Sequence, residues 1–502
     1  MIKDSPIDLH VVARRAMQDM EFRVGFPSSV IEEVDRLKEP IFKPGATRDM
    51  SDRLWSSIDN DDSRDLDQAE YVETEGDSVR AYVAVAEVNY FVPKGSLTDT
   101  CARYKTTSIY TGIENFPMLP DRLSTSLCSL MEGKKRLAIV IEMKIGPDGK
   151  VATSDAYPAI IQNKAQLTYE AVHAWLAEIP PPASAVSAQT IAKIKRDPAL
   201  QEQLRIQDRL ADSLRAFRQE NGALDFRIPP PPPITDEAEG ERRWRESPNR
   251  ATRIIEEMMI ATNGAVDTFL ESRNSPLLQR VVRTPKNWLR MVEVAATYQG
   301  HLPESPDSAA LERFLAEQRR SNPEHFPDIA IAMIKLLGRG EYVVKAPGDT
   351  SLGHFALAVP NYAHSTAPNR RYPDLITQRL LHAAFAKASS PYTITELQKL
   401  AAHCSAREED ANKVERQVKR CITAFTFQTR IGEEYTGFVT GKSDGGTWIR
   451  VPDPALDGWI PGPDRGGEGS QIAVGAKVRV RLISTDPARG FIDFALLDQL
   501  AS

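Results

Sequence analysis

The stretch Ser57-Ile58-Asp59-Asn60-Asp61-Asp62-Ser63-Arg64-Asp65-Leu66-Asp67-Gln68 carries five aspartates within nine positions. Like charges held this closely repel, and a divalent cation among them relieves the repulsion. Hard oxygen donors favour Mg²⁺, Mn²⁺ or Ca²⁺ over zinc. On both sides of the run the apolar period is two. Trp55–Ile58, Ala69–Glu73 and Val79–Val85 read as strands, and Gly76-Asp77 marks a hairpin between the last two. Two other readings compete with a metal site. One is a solvated acidic loop. The other is a calcium loop, since Asp59, Asp61, Ser63, Asp65, Asp67 and Glu70 fall at EF-hand positions 1, 3, 5, 7, 9 and 12. Arg64 stands where that loop's sharp turn requires Gly, and the flanks are strand-like where an EF-hand has helices, which removes the calcium reading.

Further along the chain, Leu137–Met143 and Val151–Ile161 form a second expected hairpin across Gly146-Pro147-Asp148-Gly149. Helical periodicity then takes over at Tyr169–Leu176, Pro198–Gln219, Ala251–Leu270, Pro276–Val282, Pro327–Leu337 and Tyr372–Ala386. The run Pro229–Pro233 must be extended, and Asp236–Arg245 after it reads as an exposed loop. A long, charge-rich helix is expected over Leu397–Arg430. Beyond it, five short strands fit Glu434–Lys442, Thr447–Val451, Asp457–Ile460, Lys477–Ser484 and Gly490–Ala495, the pattern of an OB-type barrel. Tyr435, Phe438, Trp448 and Trp459 are its candidate stacking platforms for unpaired bases, against a plain core role for half of them. At the other end, Leu9, Val12, Ala13, Ala16 and Met17 recur at helical spacing, and a second short helix follows Gly25-Phe26-Pro27. Such a pair permits a helix-turn-helix, although ordinary packing is its commoner use.

With 502 residues the chain is long enough for about three domains. Its 63 Lys and Arg against 69 Asp and Glu give a net charge of -6, which argues against a globally basic nucleic-acid binder and leaves local patches open. Cys101, Cys128, Cys404 and Cys421 lie far apart without zinc-ligand spacing, so reduced thiols in a cytoplasmic protein are expected. No apolar run approaches the roughly 18 residues of a membrane span, and the N-terminus does not read as a secretory signal.

Three blocks in fixed order carry a resemblance. They are the I-D-x(5)-D-x-D pattern beginning at Ile58, then Pro117-Met118-Leu119-Pro120 with Leu123-Ser124-x-x-Leu127-Cys128-Ser129-Leu130, and finally Tyr362-Ala363-His364-Ser365-Thr366-Ala367-Pro368-Asn369-Arg370-Arg371-Tyr372-Pro373-Asp374-Leu375. Together they resemble the ribonuclease II (RNB) family over about residues 50–500. The resemblance implies an α+β multidomain protein: a helical module over 1–46, an RNB catalytic domain with a mixed sheet and surrounding helices over 47–430, and an S1-like OB-fold over 431–502. It implies a processive hydrolytic exoribonuclease that degrades single-stranded RNA from the 3′ end to nucleoside 5′-monophosphates. Mg²⁺ is the expected cofactor with Mn²⁺ as substitute, and a monomer without an obligate protein partner is expected.

Carried over residue by residue, Asp59, Asp65 and Asp67 match three of the four aspartates of the family's metal site, and Gln68 stands where the fourth is usually Asp. An amide oxygen can ligate a metal but brings no charge and cannot act as a base. Either one cation is held more weakly, or Asp61 or Asp62 takes over; the rival outcome is a family member that binds RNA without cutting it. Arg370 matches the arginine that holds a phosphate, with Arg371 structural. Tyr110 resembles the aromatic near the scissile end, Tyr169 and Phe226 resemble base-contacting aromatics, and Glu415 resembles a glutamate near the terminal nucleotide. The family's usual cold-shock domains have no room before Asp59, so a less enclosed RNA entrance, open to some base-paired substrate, is expected.

Overall fold

A computed structural model describes residues 7–42, 47–180, 184–226, 249–323, 325–443, 445–452, 454, 456–462 and 472–500. The proline run at 229–233 and the polar segment 236–245 lie outside the described residues. The chain divides into two compact units.

The larger unit comprises Phe26–Thr107 and Pro117–Arg407. At its centre is a mixed six-stranded sheet in the order Arg48–Asp49, Val151–Thr168, Trp55–Asp59, Gln68–Glu75, Ser78–Ala86, Lys135–Ile145. The 18-residue strand Val151–Thr168 pairs antiparallel with Lys135–Ile145 through its first part and parallel with Trp55–Asp59 through its last, so the ring of pairings closes on itself. Both faces of this sheet are buried. Trp55, Ala69, Tyr82, Ala84 and Val140 pack on one side; Ile58, Val72, Val83, Val85 and Ile141 join a larger cluster on the other. Helices such as Pro198–Glu220, Arg250–Ser272 and Tyr372–Phe385 complete that larger cluster. Trp55 is fully buried and its indole N–H donates to the Met50 carbonyl oxygen at 2.8 Å. Truncating such a residue costs about 3–5 kcal/mol.

One expectation is corrected. Pro276–Val282 is not a helix: Leu277–Val281 is a strand, antiparallel to Glu341–Lys345. Its leucines fit either period, and the decisive partner lies some sixty residues away, beyond the reach of a local pattern. The other expected helices form within a residue or two of their expected bounds, although the last runs Ile394–Thr426 and finishes as a 3₁₀ turn over Phe427–Arg430.

The smaller unit comprises Met1–Gly25, Ser108–Phe116 and Glu408–Ser502. Glu434–Ser443, Gly446–Val451, Leu456–Pro461, Phe491–Gln499 and Lys477–Asp486 close, in that order, into a barrel cored by Val439, Ile449, Val480, Leu482 and Phe494. Gly458 is required here, because a Cβ would come within 2.3 Å of the Phe494 ring. The helix Leu9–Asp19, capped by the Asp8 carboxylate, packs Ala13, Ala16 and Met17 against Ile109, Val414 and Val418. The next helix, Ser28–Asp35, contributes Val34 to the main core of the larger unit. The first of these helices thus falls in the smaller unit and the second in the larger.

Candidate functional site

Asp59 ends the strand Trp55–Asp59, and Gln68 begins the next one, so the acidic run is the connection between two central strands. The second sequence block fixes this connection. Leu123–Leu127 forms a single π-helical turn, closed by the Cys128 N–H donating to the Leu123 carbonyl. This turn delivers Ser129, whose hydroxyl accepts from the Leu66 N–H at 3.1 Å and donates to the Arg64 carbonyl at 2.8 Å. Leu66 itself is buried and its carbonyl accepts from the Leu130 N–H. Buried Arg136 braces the turn from behind through the Ser126 and Ser129 carbonyls.

The third block brings in a cation. The helix Tyr372–Phe385 is tied to the sheet by Gln378, which donates to the Ala86 carbonyl and accepts from the Val88 N–H. The turn before that helix reaches Asp67: the Asn369 N–H donates to Asp67 Oδ1 at 2.9 Å and Arg370 Nε to Oδ2 at 3.1 Å. Asp67 is only 1 % exposed, whereas the Arg370 side chain is 44 % exposed. Arg371 is half-buried and donates to the Asp374 carboxylate at 2.7 Å, a pairing internal to the helix start.

Burial pushes the Asp67 carboxyl up to about 7, against the opposing charge of Arg370 and the Asn369 N–H. Burial also raises Asp59, although the Ser63 hydroxyl at 2.7 Å and the Asn60 N–H both donate to its Oδ1. Asp65 is near enough to repel both. Tyr169 follows Thr168, the residue in register with Asp59 on the neighbouring parallel strand, and its hydroxyl is raised by burial and by the charges of Asp59 and Glu70. The structure thus brings together Asp59, Asp65, Asp67, Arg370 and Tyr169. Gln68 is buried at the start of its strand, opposite Val85.

Glu70 is a neighbour that sequence spacing named only within the discarded calcium-loop reading. It is fully buried, both its carboxylate oxygens lack a hydrogen-bond partner, and burial and Asp59 push its carboxyl well above the usual range. The available signal was an acid two positions after Gln68, on the same side of a strand whose next residue on that side, Val72, is core. By contrast, Asp61 and Asp62 are exposed, and Asp61 accepts from the Ser184 hydroxyl.

The remaining candidates lie elsewhere. Phe226 is half-buried against the helical cluster that contains Trp288, Leu311 and Phe326. In the smaller unit, Tyr110 is 41 % exposed, and Glu415 accepts from its backbone N–H at 3.0 Å, so Glu415 positions the Tyr110 strand. On the barrel, Trp448 and Trp459 form an edge-to-face pair, and Trp448 is 45 % exposed. Tyr435 is no platform, because its ring packs on Phe427 and Phe494 inside the barrel core.

Among the described residues no three His, Cys, Asp or Glu side chains are arranged to enclose a metal ion by themselves. Such a donor set suits a cation that keeps water and takes substrate phosphate oxygens alongside one or two carboxylates, which is the habit of Mg²⁺ rather than of zinc. The two unpartnered oxygens of buried Glu70 and the surplus of acids over bases agree with a cation at this place. No described helix is long and apolar enough to cross a membrane.

Comparison with known proteins gives the same result from another direction. Residues 47–387 match the RNB domain, and residues 433–497 match the RNase II-type exonuclease C-terminal S1 domain. The chain is 29 % identical to a ribonuclease R of Aquifex aeolicus, over 99 % of this chain and 71 % of that protein. It is 28 % identical to ribonuclease R of Escherichia coli, over 96 % of this chain and 61 % of that protein. The fold superposes on RNase R of Mycoplasma genitalium in complex with double-stranded RNA at a TM-score of 0.81, with 25 % identity over 98 % of this chain and 83 % of that one. RNB nucleases are metal-dependent as a family. This chain belongs to the RNB family and is a 3′→5′ exoribonuclease.

Proposed function

We propose that the chain is an Mg²⁺-dependent, processive hydrolase of single-stranded RNA, with Mn²⁺ able to substitute, releasing nucleoside 5′-monophosphates and acting as a cytoplasmic monomer without an obligate protein partner. We divide it into a catalytic part over 47–430, an S1-like RNA-binding barrel over 431–502 and a helical segment over 1–46. The observation that carries the chemistry is the grip of Asn369 and Arg370 on buried Asp67, some three hundred residues away in sequence. That grip fixes one carboxylate beside a guanidinium whose side chain is partly exposed.

Asp59, Asp65 and Asp67 are the residues that would hold the cations. Bound there, Mg²⁺ supplies charge stabilisation at the phosphate's non-bridging oxygens and lowers the pKa of an attacking water. The chain's own groups do the rest. Ser63 and Asn60 orient Asp59, and the Ser129 clamp holds the backbone on either side of Asp65. Arg370 neutralises charge that develops on the phosphate. Tyr169 lies next to the acids as a stacking surface, with Tyr110, Phe226 and Glu415 as further RNA contacts; stacking tolerates any base because each has a π face.

Incubation of 5′-labelled single-stranded RNA with Mg²⁺ tests this reading. Short limit products without a ladder of intermediates, and nucleoside 5′-monophosphate released, are expected; EDTA should stop both. Retention of RNA without shortening would instead establish the second reading, an RNA-binding protein, which Gln68 favours. The Mycoplasma genitalium RNase R was solved with double-stranded RNA. For this chain, a duplex with a 3′ tail is expected to be digested close to the stem, and a halt many nucleotides short of it would mean an enclosed entrance.

A further inference from the structure

We propose that Glu70 is a ligand of the metal site and supplies the negative charge that Gln68 lacks. The inference deepens the proposed function and rests on it.

Glu70 is the third residue of the strand Gln68–Glu75, and strand alternation puts it on the same side as Gln68. Across the sheet it is in register with Ser56, one turn of alternation from Ile58 and next to the strand that ends in Asp59. Its side chain is 0 % exposed and neither oxygen has a partner; the Ser56 hydroxyl opposite is also buried without one. Three orphaned oxygens thus gather at one register position. A polar group in such surroundings costs several kcal/mol unless something pairs with it, and buried polar atoms in folded proteins nearly always are paired.

A purely structural glutamate does not explain the placement, because among the described residues no arginine or lysine pairs with it and its own backbone N–H is the one donor that acts on its carboxylate. A sheet residue that serves only packing would be Val or Leu, as Val72 is at the next position on that side. The neighbours Glu70 does sense are Asp59 and Tyr169, both already part of the acidic group. A cation shared between Glu70 and Asp59 satisfies the orphaned oxygens and removes the repulsion together. Asp61 and Asp62, the other acids near Gln68, are exposed and so poorly placed to make up its missing charge.

Mn²⁺ binding to the full chain, followed by electron paramagnetic resonance and by the Mn²⁺-induced rise in melting temperature, tests the assignment without requiring turnover. Glu70→Gln is expected to weaken Mn²⁺ binding at least tenfold, and to melt no lower than wild type without metal, since an unpaired buried carboxyl has been removed. Adding Gln68→Asp to that variant is expected to bring Mn²⁺ affinity back to within about threefold of wild type. Wild-type affinity in folded Glu70→Gln overturns the proposal. So does a variant destabilised without metal and not restored by Gln68→Asp, because Glu70 would then be structural. If wild type itself neither binds Mn²⁺ nor shortens RNA, the underlying reading of the site fails, and that outcome is distinct from the first two.

Discussion

Asp99 and Asp67 are both carboxylates buried in the larger unit, yet their surroundings differ in kind. Asp99 accepts from the Tyr372 hydroxyl and from Arg379 on one oxygen and from the Gly95 N–H on the other. Arg379 is in turn satisfied by Tyr392 and the Val92 carbonyl, so charge and hydrogen bonds balance. Around Asp67, Arg370 faces the charges of Asp59 and Asp67 with Asp65 nearby, and no cationic side chain pairs with the buried Glu70 carboxylate among the described residues. A balanced network holds a fold in place; an unbalanced one is kept because something absent from the chain completes it.

The largest effect that could break this comparison is at Asp67. Asp67→Asn keeps an acceptor for the Asn369 N–H but removes a charge, and turnover on labelled RNA is expected to fall about 10³-fold or more. The melting temperature of the metal-free variant should hold or rise, because burial already disfavours the ionised Asp67. A loss of stability there would make the acidic cluster structural. Arg379→Ala should give the reverse result. It leaves Asp99 buried and uncompensated, costing about 3–5 kcal/mol in urea unfolding, while activity per folded molecule stays within about twofold.

Next in size is Trp448→Ala, which removes an exposed ring from the barrel. RNA affinity in filter binding is expected to drop by about 1–3 kcal/mol, with the rate at saturating RNA unchanged. An unchanged affinity would mean that the Trp448–Trp459 pair is a packing feature. The smallest effect concerns Glu312, which accepts from the Asp225 N–H and whose carboxyl burial pushes up to about 7. With the folded value above the unfolded one, its favourable contribution is complete in acid and is lost as pH rises through about 7. Glu312→Gln keeps the acceptor and cannot ionise. Wild type and variant should therefore melt alike near pH 5, with the variant more stable by on the order of 1 kcal/mol near pH 8. Parallel stability profiles would show Glu312 to be balanced like Asp99.

What the sequence disclosed follows from how local each signal is. Gly76-Asp77 and Gly146-Pro147-Asp148-Gly149 mark turns by their own backbone demands, and both hairpins form there, with Gly76 and Gly149 at positive φ. The acidic run was legible because charge density needs no partner to be noticed. Leu277–Val281 was misread because its strand character depends on Glu341–Lys345. Glu70 fell away with the calcium reading for a similar reason: an acid in a strand ordinarily faces water, and only the helices covering this face make it buried. Tyr435 showed the converse: of the two readings left open for it, platform or core, closure of the barrel selects core.

The hold of Asn369 and Arg370 on Asp67 has a consequence for biosynthesis. A chain emerging from the ribosome exposes its aspartates early, but the amide and guanidinium that fix one of them emerge some three hundred residues later. On the proposed reading, the nascent protein stays harmless to the message being translated, and an abortive product ending before Asn369 is never armed.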